Sequence, residues 1–208
     1  MPYFDFHHHK INISNGIYNL ELFQTVPEVL FSVGIHPKDI DENNFIQQIE
    51  WLKASINENC FAIGECGLDS MVAVTAEIQN EVFLEQINIA NEFKKPLIIH
   101  CVKRFSELIP FRKKSDFPMI LHGFNKKQTV ADSLLSNNFY LSFGKAVLYN
   151  LSLQNTLKSA PLDKIFLETD DADFNIEELY RKVAEIKKIS LENLQDQISV
   201  NLETIKNG

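Results

Sequence analysis

The feature that most constrains this chain is a rhythm, in which short apolar runs are followed by longer stretches of helical periodicity. The runs cover residues 3–6, 17–22, 30–35, 60–63, 97–99, 119–121, 139–143 and 165–167. Helical patterns lie at 42–59, 76–94, 105–113, 129–137, 174–188 and 191–206. Strands that alternate with helices build βαβ units, and βαβ units build a parallel sheet. Eight such strands predict an α/β fold, a small or shortened (β/α)8 TIM-type barrel near the lower end of that fold's size range. The front breaks the rhythm. Too few residues separate the first run from the second for an ordinary crossover helix, so either that helix is missing or residues 17–22 are not a barrel strand and the barrel is incomplete.

No Pro/Gly/Ser-rich linker, low-complexity tract or abrupt change of charge marks a boundary, so the expectation is one domain over residues 1–208. Twenty basic against 28 acidic residues leave a net charge of −8, which argues against a general electrostatic grip on nucleic acid. A bound cation would reverse the sign inside one pocket. Three cysteines with no CxxC pair suit a reducing compartment. There is no membrane-length apolar run and no signal-peptide pattern, so the expected location is the cytoplasm, away from any membrane. His7-His8-His9 is short for an affinity tag, and it closes a strand.

The residues that end the strands carry the chemistry. The first run leads into His7-His8-His9, the fourth into Gly64-Glu65, the fifth into His100, the sixth into His122 and the eighth into Glu168-Thr169-Asp170. Residues two apart in a strand share a face, so His7 and His9 turn to one side and His8 to the other. In a parallel barrel all these ends meet on one face, where the active sites of the fold sit. His7, His9, His100 and His122 would meet Glu65 and Asp170 there. That is more than one tetrahedral ion needs, and it suits a pair of divalent ions sharing a site. Imidazole and carboxylate without thiolate fit zinc, manganese, iron or nickel. Cys66 and Cys101 directly follow ligand positions and are expected to pack outward. The bland alternative for any one strand-end histidine is a satisfied structural residue, but ligand types close five separate strands here.

Along its length the chain resembles the TatD family of metal-dependent deoxyribonucleases. Asp5-Phe6-His7-His8-His9 is similar to the family's D-x-H-x-H, and Gly34-Ile35-His36-Pro37 to its GIHP. Ala62 through Asp69 resembles AIGExGLD. Pro96 through His100, Leu121 through Phe124, Tyr140 through Gly144 and Leu167 through Asp170 follow in the family's order. The resemblance implies that His7 and His9 bind one metal, that His100 and His122 bind the other, and that Glu65 bridges them. Asp170 would bind the first metal and orient or deprotonate water, making Asp170 and Glu65 the catalytic carboxylates. Zinc, manganese or magnesium would be the ions. His36 and Lys103 would contact substrate, and Asp5 and Asp69 would support the ligands.

The chain also departs from the family, whose members are usually longer. The helix after the first strand is absent, and so is the Pro- and Arg-rich loop after the last aspartate. Ser70-Met71-Val72 replaces an aromatic and arginine stretch, Cys101-Val102 replaces Ser-Arg, and Gly123 replaces a cysteine. Lys103, Arg104, Lys126, Lys127 and Lys145 remain as cations the loops can offer. The metal cage is whole while the phosphate clamp is thinned. The expectation is a monomeric two-metal hydrolase acting on small or single-stranded nucleic acid or another phosphoester. A small amide or lactone is the alternative substrate, and a metal-stabilised binding protein without catalysis is the alternative function.

Overall fold

The computed structural model describes residues 3–207. Eight strands form one sheet in sequence order, each parallel to the next: β1 (Asp5–His8), β2 (Gly16–Leu20), β3 (Phe31–Val33), β4 (Cys60–Asp69), β5 (Leu97–Val102), β6 (Met119–Leu121), β7 (Phe139–Phe143) and β8 (Ile165–Leu167). The ring is drawn shut just beyond β8. His8 bridges to Asp170, the Asp170 N–H donates to the His7 carbonyl at 2.9 Å, and the His9 N–H donates to the Asp170 carbonyl at 3.3 Å. Phe6 stacks on Phe166 across this seam with ring centroids 4.2 Å apart.

Among the described residues seven α-helices accompany the strands: α1 (Phe45–Ser55), α2 (Ala76–Phe93), α3 (Phe105–Arg112), α4 (Gln128–Ser136), α5 (Leu151–Ser159), α6 (Ile176–Lys187) and α7 (Leu191–Asn207). Residues buried in the walls, among them Ile63, Leu68, Ile98, Ile120, Leu141 and Leu167, join those under the helices, such as Val82, Ile87, Leu134, Leu157, Val183 and Ile198, in one apolar cluster. Its removal from water is the main stabilising term.

Two differences from the sequence pattern bear on the site. Residues 17–22 do supply a barrel strand, and it is the crossover helix that is missing. β2 pairs directly with β1 and β3, and no helix intervenes on either side. A loop of residues 9–15 suffices because a strand as short as β1 rises only about 3.3 Å per residue. The segment after β2 stands in for the second missing helix: the Tyr18 hydroxyl donates to Gln24 at 3.2 Å, and Phe23 packs edge-on against Trp51 of α1 at 5.5 Å. Conversely, α5 has no counterpart in the apolar periodicity. It is capped by the Asn150 side chain, which accepts from the Leu153 N–H. Its buried face is only Leu153, Thr156 and Leu157, too narrow a stripe to stand out.

β4 and β5 also run further than their apolar cores, to Asp69 and Val102. The extension pairs Gly67 with His100 and Asp69 with Val102. A side chain at Gly67, where φ is +141°, would drive into the His100 carbonyl oxygen, so glycine is what allows the two strands to continue together here.

Candidate metal centre

β1 sorts its histidines by alternation. His7 is fully buried among the carboxylates, and His9 lies half-exposed above it. His8 turns to the opposite side, buried next to Tyr18 at 6.1 Å. Gly16 leaves room for it, since a Cβ there would stand 2.8 Å from the His8 ring. His8 is therefore no part of the cluster, and burial pushes its pKa down to about 4.

Glu65, at the middle of β4, is the hub. Its Oε1 lies 2.8 Å from His122 Nε2, 2.9 Å from His100 Nδ1 and 3.4 Å from His36 Nε2. Its Oε2 faces His7 Nε2 at 3.5 Å and His9 Nε2 at 3.9 Å. Asp170, in a left-handed conformation at φ +55°, adds an oxygen 3.3 Å from His9 and 3.7 Å from His7. The chain thus brings His7, His9, Glu65, His100, His122 and Asp170 together, with His36 beside them.

The two sides of Glu65 differ. Two donors each about 2.1 Å from one tetrahedral ion stand roughly 3.4 Å apart. The separations among His7, His9, Asp170 and Glu65 Oε2 lie close to this value and are long for direct hydrogen bonds. Consistently, neither ring nitrogen of fully buried His7 has a hydrogen-bond partner among the described residues. A buried polar atom left orphaned is costly, and a cation at that point would satisfy it. On the Oε1 side, His100 and His122 meet Glu65 at hydrogen-bond distance, as imidazoles do when a proton stands where a metal would. Groups spaced to hold an ion are His7 with His9 and Asp170, His7 with Glu65 and His122, His36 with Glu65 and His100, and His122 with Glu168 and Asp170.

A surrounding layer holds these groups. Asp69 lies 3.1 Å from His100 Nε2, leaving Nδ1 to face Glu65, and Glu168 stands 3.7 Å from His122 Nδ1. A partner such as Asp69 fixes a ligand's tautomer and ring orientation, whereas His122 Nδ1 has no hydrogen-bond partner among the described residues. Asp5 accepts from the Thr169 N–H at 2.8 Å and from its hydroxyl at 2.6 Å, anchoring the residue just before Asp170. Three side chains that the sequence reading passed over do comparable work. Asn19 accepts from the Glu65 N–H at 3.1 Å. Gln79 of α2 accepts from the Asp69 N–H and donates to its carbonyl, at 2.8 and 2.9 Å. Gln86, two turns later, clamps Ile35 in the same way at 2.7 and 3.1 Å. The available signal was a glutamine at i and i+7 on the apolar face of α2 and an asparagine inside an apolar strand.

Electrostatics follow from this crowding. Burial opposes charge on Glu65, but positive His122, the hydrogen bonds from His100 and His122 and the nearby His7 ring hold it well below the usual carboxylate range. Burial likewise disfavours a charged His122, yet Glu65 and Glu168 hold it well above an ordinary imidazole. Asp170 is lowered because His9, His122 and His7 outweigh its burial. His36 is pushed down to about 4, chiefly by burial, and is neutral. The three thiols are free, and burial raises that of Cys66.

A cavity of about 430 Å³ opens beside the cage, lined by His9, Asn19, Glu21, His36, Lys38 and Asp39 among others. Lys103 lines a separate shallow pocket next to Asp69, with its Nζ 3.3 Å from the Met71 sulfur. Arg104 corrects the sequence reading. It is not a free cation at the mouth but is buried and spent on Glu107, Gln79 and Asn80. Lys126 and Lys145 lie over Phe105 and Phe174.

A family model described as TatD related DNase matches residues 7–207. A protein of Buchnera aphidicola subsp. Baizongia pistaciae, named as an uncharacterized metal-dependent hydrolase, is 36% identical over 166 residues, covering 76% of this chain and 62% of that protein. The human 3'-5' RNA nuclease TATDN2 is 30% identical over 146 residues, covering 66% of this chain and 19% of its own length. The chain thus spans less than two thirds of each of these relatives. Among solved structures, YjjV, a TatD homolog from Escherichia coli K12, superimposes with a TM-score of 0.79 at 17% identity, covering 99% of this chain and 98% of that one. At that identity the likeness concerns the fold.

Proposed function

The chain belongs to the TatD-related DNase family, and from that premise we propose that it hydrolyses phosphodiesters at the cage around Glu65, favouring short or single-stranded substrates over long duplexes. The observation that carries the reading is the ion-sized spacing of His7, His9, Asp170 and Glu65 around an imidazole with no hydrogen-bond partner. His7, His9 and Asp170 would hold one divalent ion, His100 and His122 the other, and Glu65 would bridge them. When bound, zinc, manganese or magnesium ions would acidify water and offset charge growing on phosphoryl oxygens.

The chain's own residues do the rest. Asp170, anionic and partly exposed, is placed to orient a water and accept its proton at Oδ1. Asp69 holds the ring of His100, so little reorganisation is needed there during reaction. His36 faces the cavity on the substrate side, and Lys103 would offer a phosphate contact from the separate pocket beside Asp69. With Arg104 diverted, few cations remain to follow a long phosphate backbone, which favours small or single-stranded substrates. The same diversion supports a second reading, hydrolysis of a small amide, lactone or phosphoester. The three free thiols suit a reducing compartment such as the cytoplasm, and no helix among the described residues is long and apolar enough to cross a membrane.

Turnover of a chromogenic phosphodiester, measured beside an ester and lactone panel with added manganese or zinc, tests the proposal. Diester hydrolysis that disappears with chelator and in Asp170→Asn is expected. Hydrolysis of lactone or ester alone would favour the second reading, and no turnover in any arm would overturn both.

A further inference from the structure

His36 stands with Glu65 and His100 in a group compact enough to hold an ion, and its position alone would make it a metal ligand. Its other nitrogen excludes that. The backbone N–H of Lys38 donates to His36 Nδ1 at 3.0 Å, capping the 3-10 turn Pro37–Asp39. A backbone N–H is always a donor, so Nδ1 must present its lone pair, and in a neutral imidazole the proton then sits on Nε2. Holding a cation through Nε2 would move that proton to Nδ1 and set two N–H groups against each other at 3.0 Å. The arrangement is also built to stay. Gln86 grips both backbone polar groups of Ile35, the preceding residue, and Pro37 restricts the following one.

We propose that His36 binds no metal and instead presents a fixed Nε2–H to an anionic oxygen of the substrate in the cavity it lines. That oxygen would be a nonbridging oxygen of a phosphoryl group. The assignment rests on the hydrolase reading above and deepens it. Nε2 lies 3.4 Å from Glu65 Oε1, so the donor points at the hub of the cage and at the cavity beside it. Lys38 lines the same cavity and brings a positive charge from the turn that His36 caps, against the carboxylates of Glu21, Asp39 and Glu65 in the same lining. His100 differs on the same criterion: its Nε2 is taken by Asp69 and its Nδ1 faces Glu65, which is how a ligating histidine is usually held.

Nitrogen-15 NMR of the histidine rings in wild-type protein tests the tautomer without any turnover. The Nε2–H form is expected for His36 in chelator-treated protein and after zinc is added, while the ring nitrogens of His100 and His122 shift with zinc. His36→Asn places an oxygen near the Nδ1 position, keeping the cap while removing the donor. It should match wild-type metal content by elemental analysis and bind inorganic phosphate about tenfold more weakly by calorimetry. A protonated Nδ1, a zinc-induced shift of the His36 ring like that of His100, loss of metal from His36→Asn, or equal phosphate affinity in the two proteins would each overturn the proposal. If the tautomer, metal content and phosphate results hold but no diester is cleaved, the hydrolase reading fails and the donor assignment stands.

Discussion

Asp5 offers the most quantitative test of how the site is held. The side chain is buried, and its carboxylate accepts two hydrogen bonds from Thr169, next to Asp170. Burial nevertheless raises its pKa from 3.8 to about 7; the Thr169 hydrogen bonds oppose the rise and Glu168 adds to it. A carboxyl whose folded pKa is raised binds its proton more tightly in the folded than in the unfolded protein. The stability it contributes is therefore fully present below about pH 4 and is lost as pH rises through about 7. The gap between 3.8 and about 7 corresponds to about 4 kcal/mol. Asp5→Asn cannot titrate, and it can keep the Thr169 N–H bond through its amide oxygen. The unfolding free energy of wild type minus that of Asp5→Asn should accordingly fall by about 4 kcal/mol between pH 4 and pH 8. Urea unfolding of both proteins with chelator present measures this, because titrations common to both cancel in the difference. A difference that stays constant to within about 1 kcal/mol across the range would refute the reasoning.

Three further outcomes are expected. Glu65→Gln should weaken both metals, since it removes the charge between them, whereas Asp170→Asn should spare the ion at His100 and His122 while stopping turnover; equal metal loss by elemental analysis would contradict that division. Gln86→Leu leaves the N–H and C=O of Ile35 buried and unpaired, which should cost about 2–6 kcal/mol in urea unfolding. Binding of a short single strand should weaken only mildly with salt, with a log–log slope of roughly −1 to −2, and a slope much steeper would reveal a basic track.

Much of this protein is legible along the chain because its information is local. Apolar runs at 119–121, 139–143 and 165–167 coincide with β6, β7 and β8, since a strand buried in a parallel sheet must be apolar throughout. Strand direction then forces His7, His9, Glu65, His100, His122 and Asp170 to the same end of a barrel, so the cluster follows once the strands are known. What periodicity could not supply was whatever depends on a partner distant in sequence. β4 runs through Gly64, Glu65 and Gly67 to Asp69 only because β5 lies beside it, and no apolar pattern records that pairing. The loop at residues 9–15 closes without a helix because β1 is short in space. Arg104 looks like a free cation in sequence and is committed to Glu107, Gln79 and Asn80 in the fold. The sequence by itself determined which residue types end each strand, and therefore that a metal-binding face exists. Only the tertiary structure decided which nitrogen of His100 faces the site, because the Asp69 carboxylate, brought to its ring by the pairing of β4 with β5, sets where its proton rests.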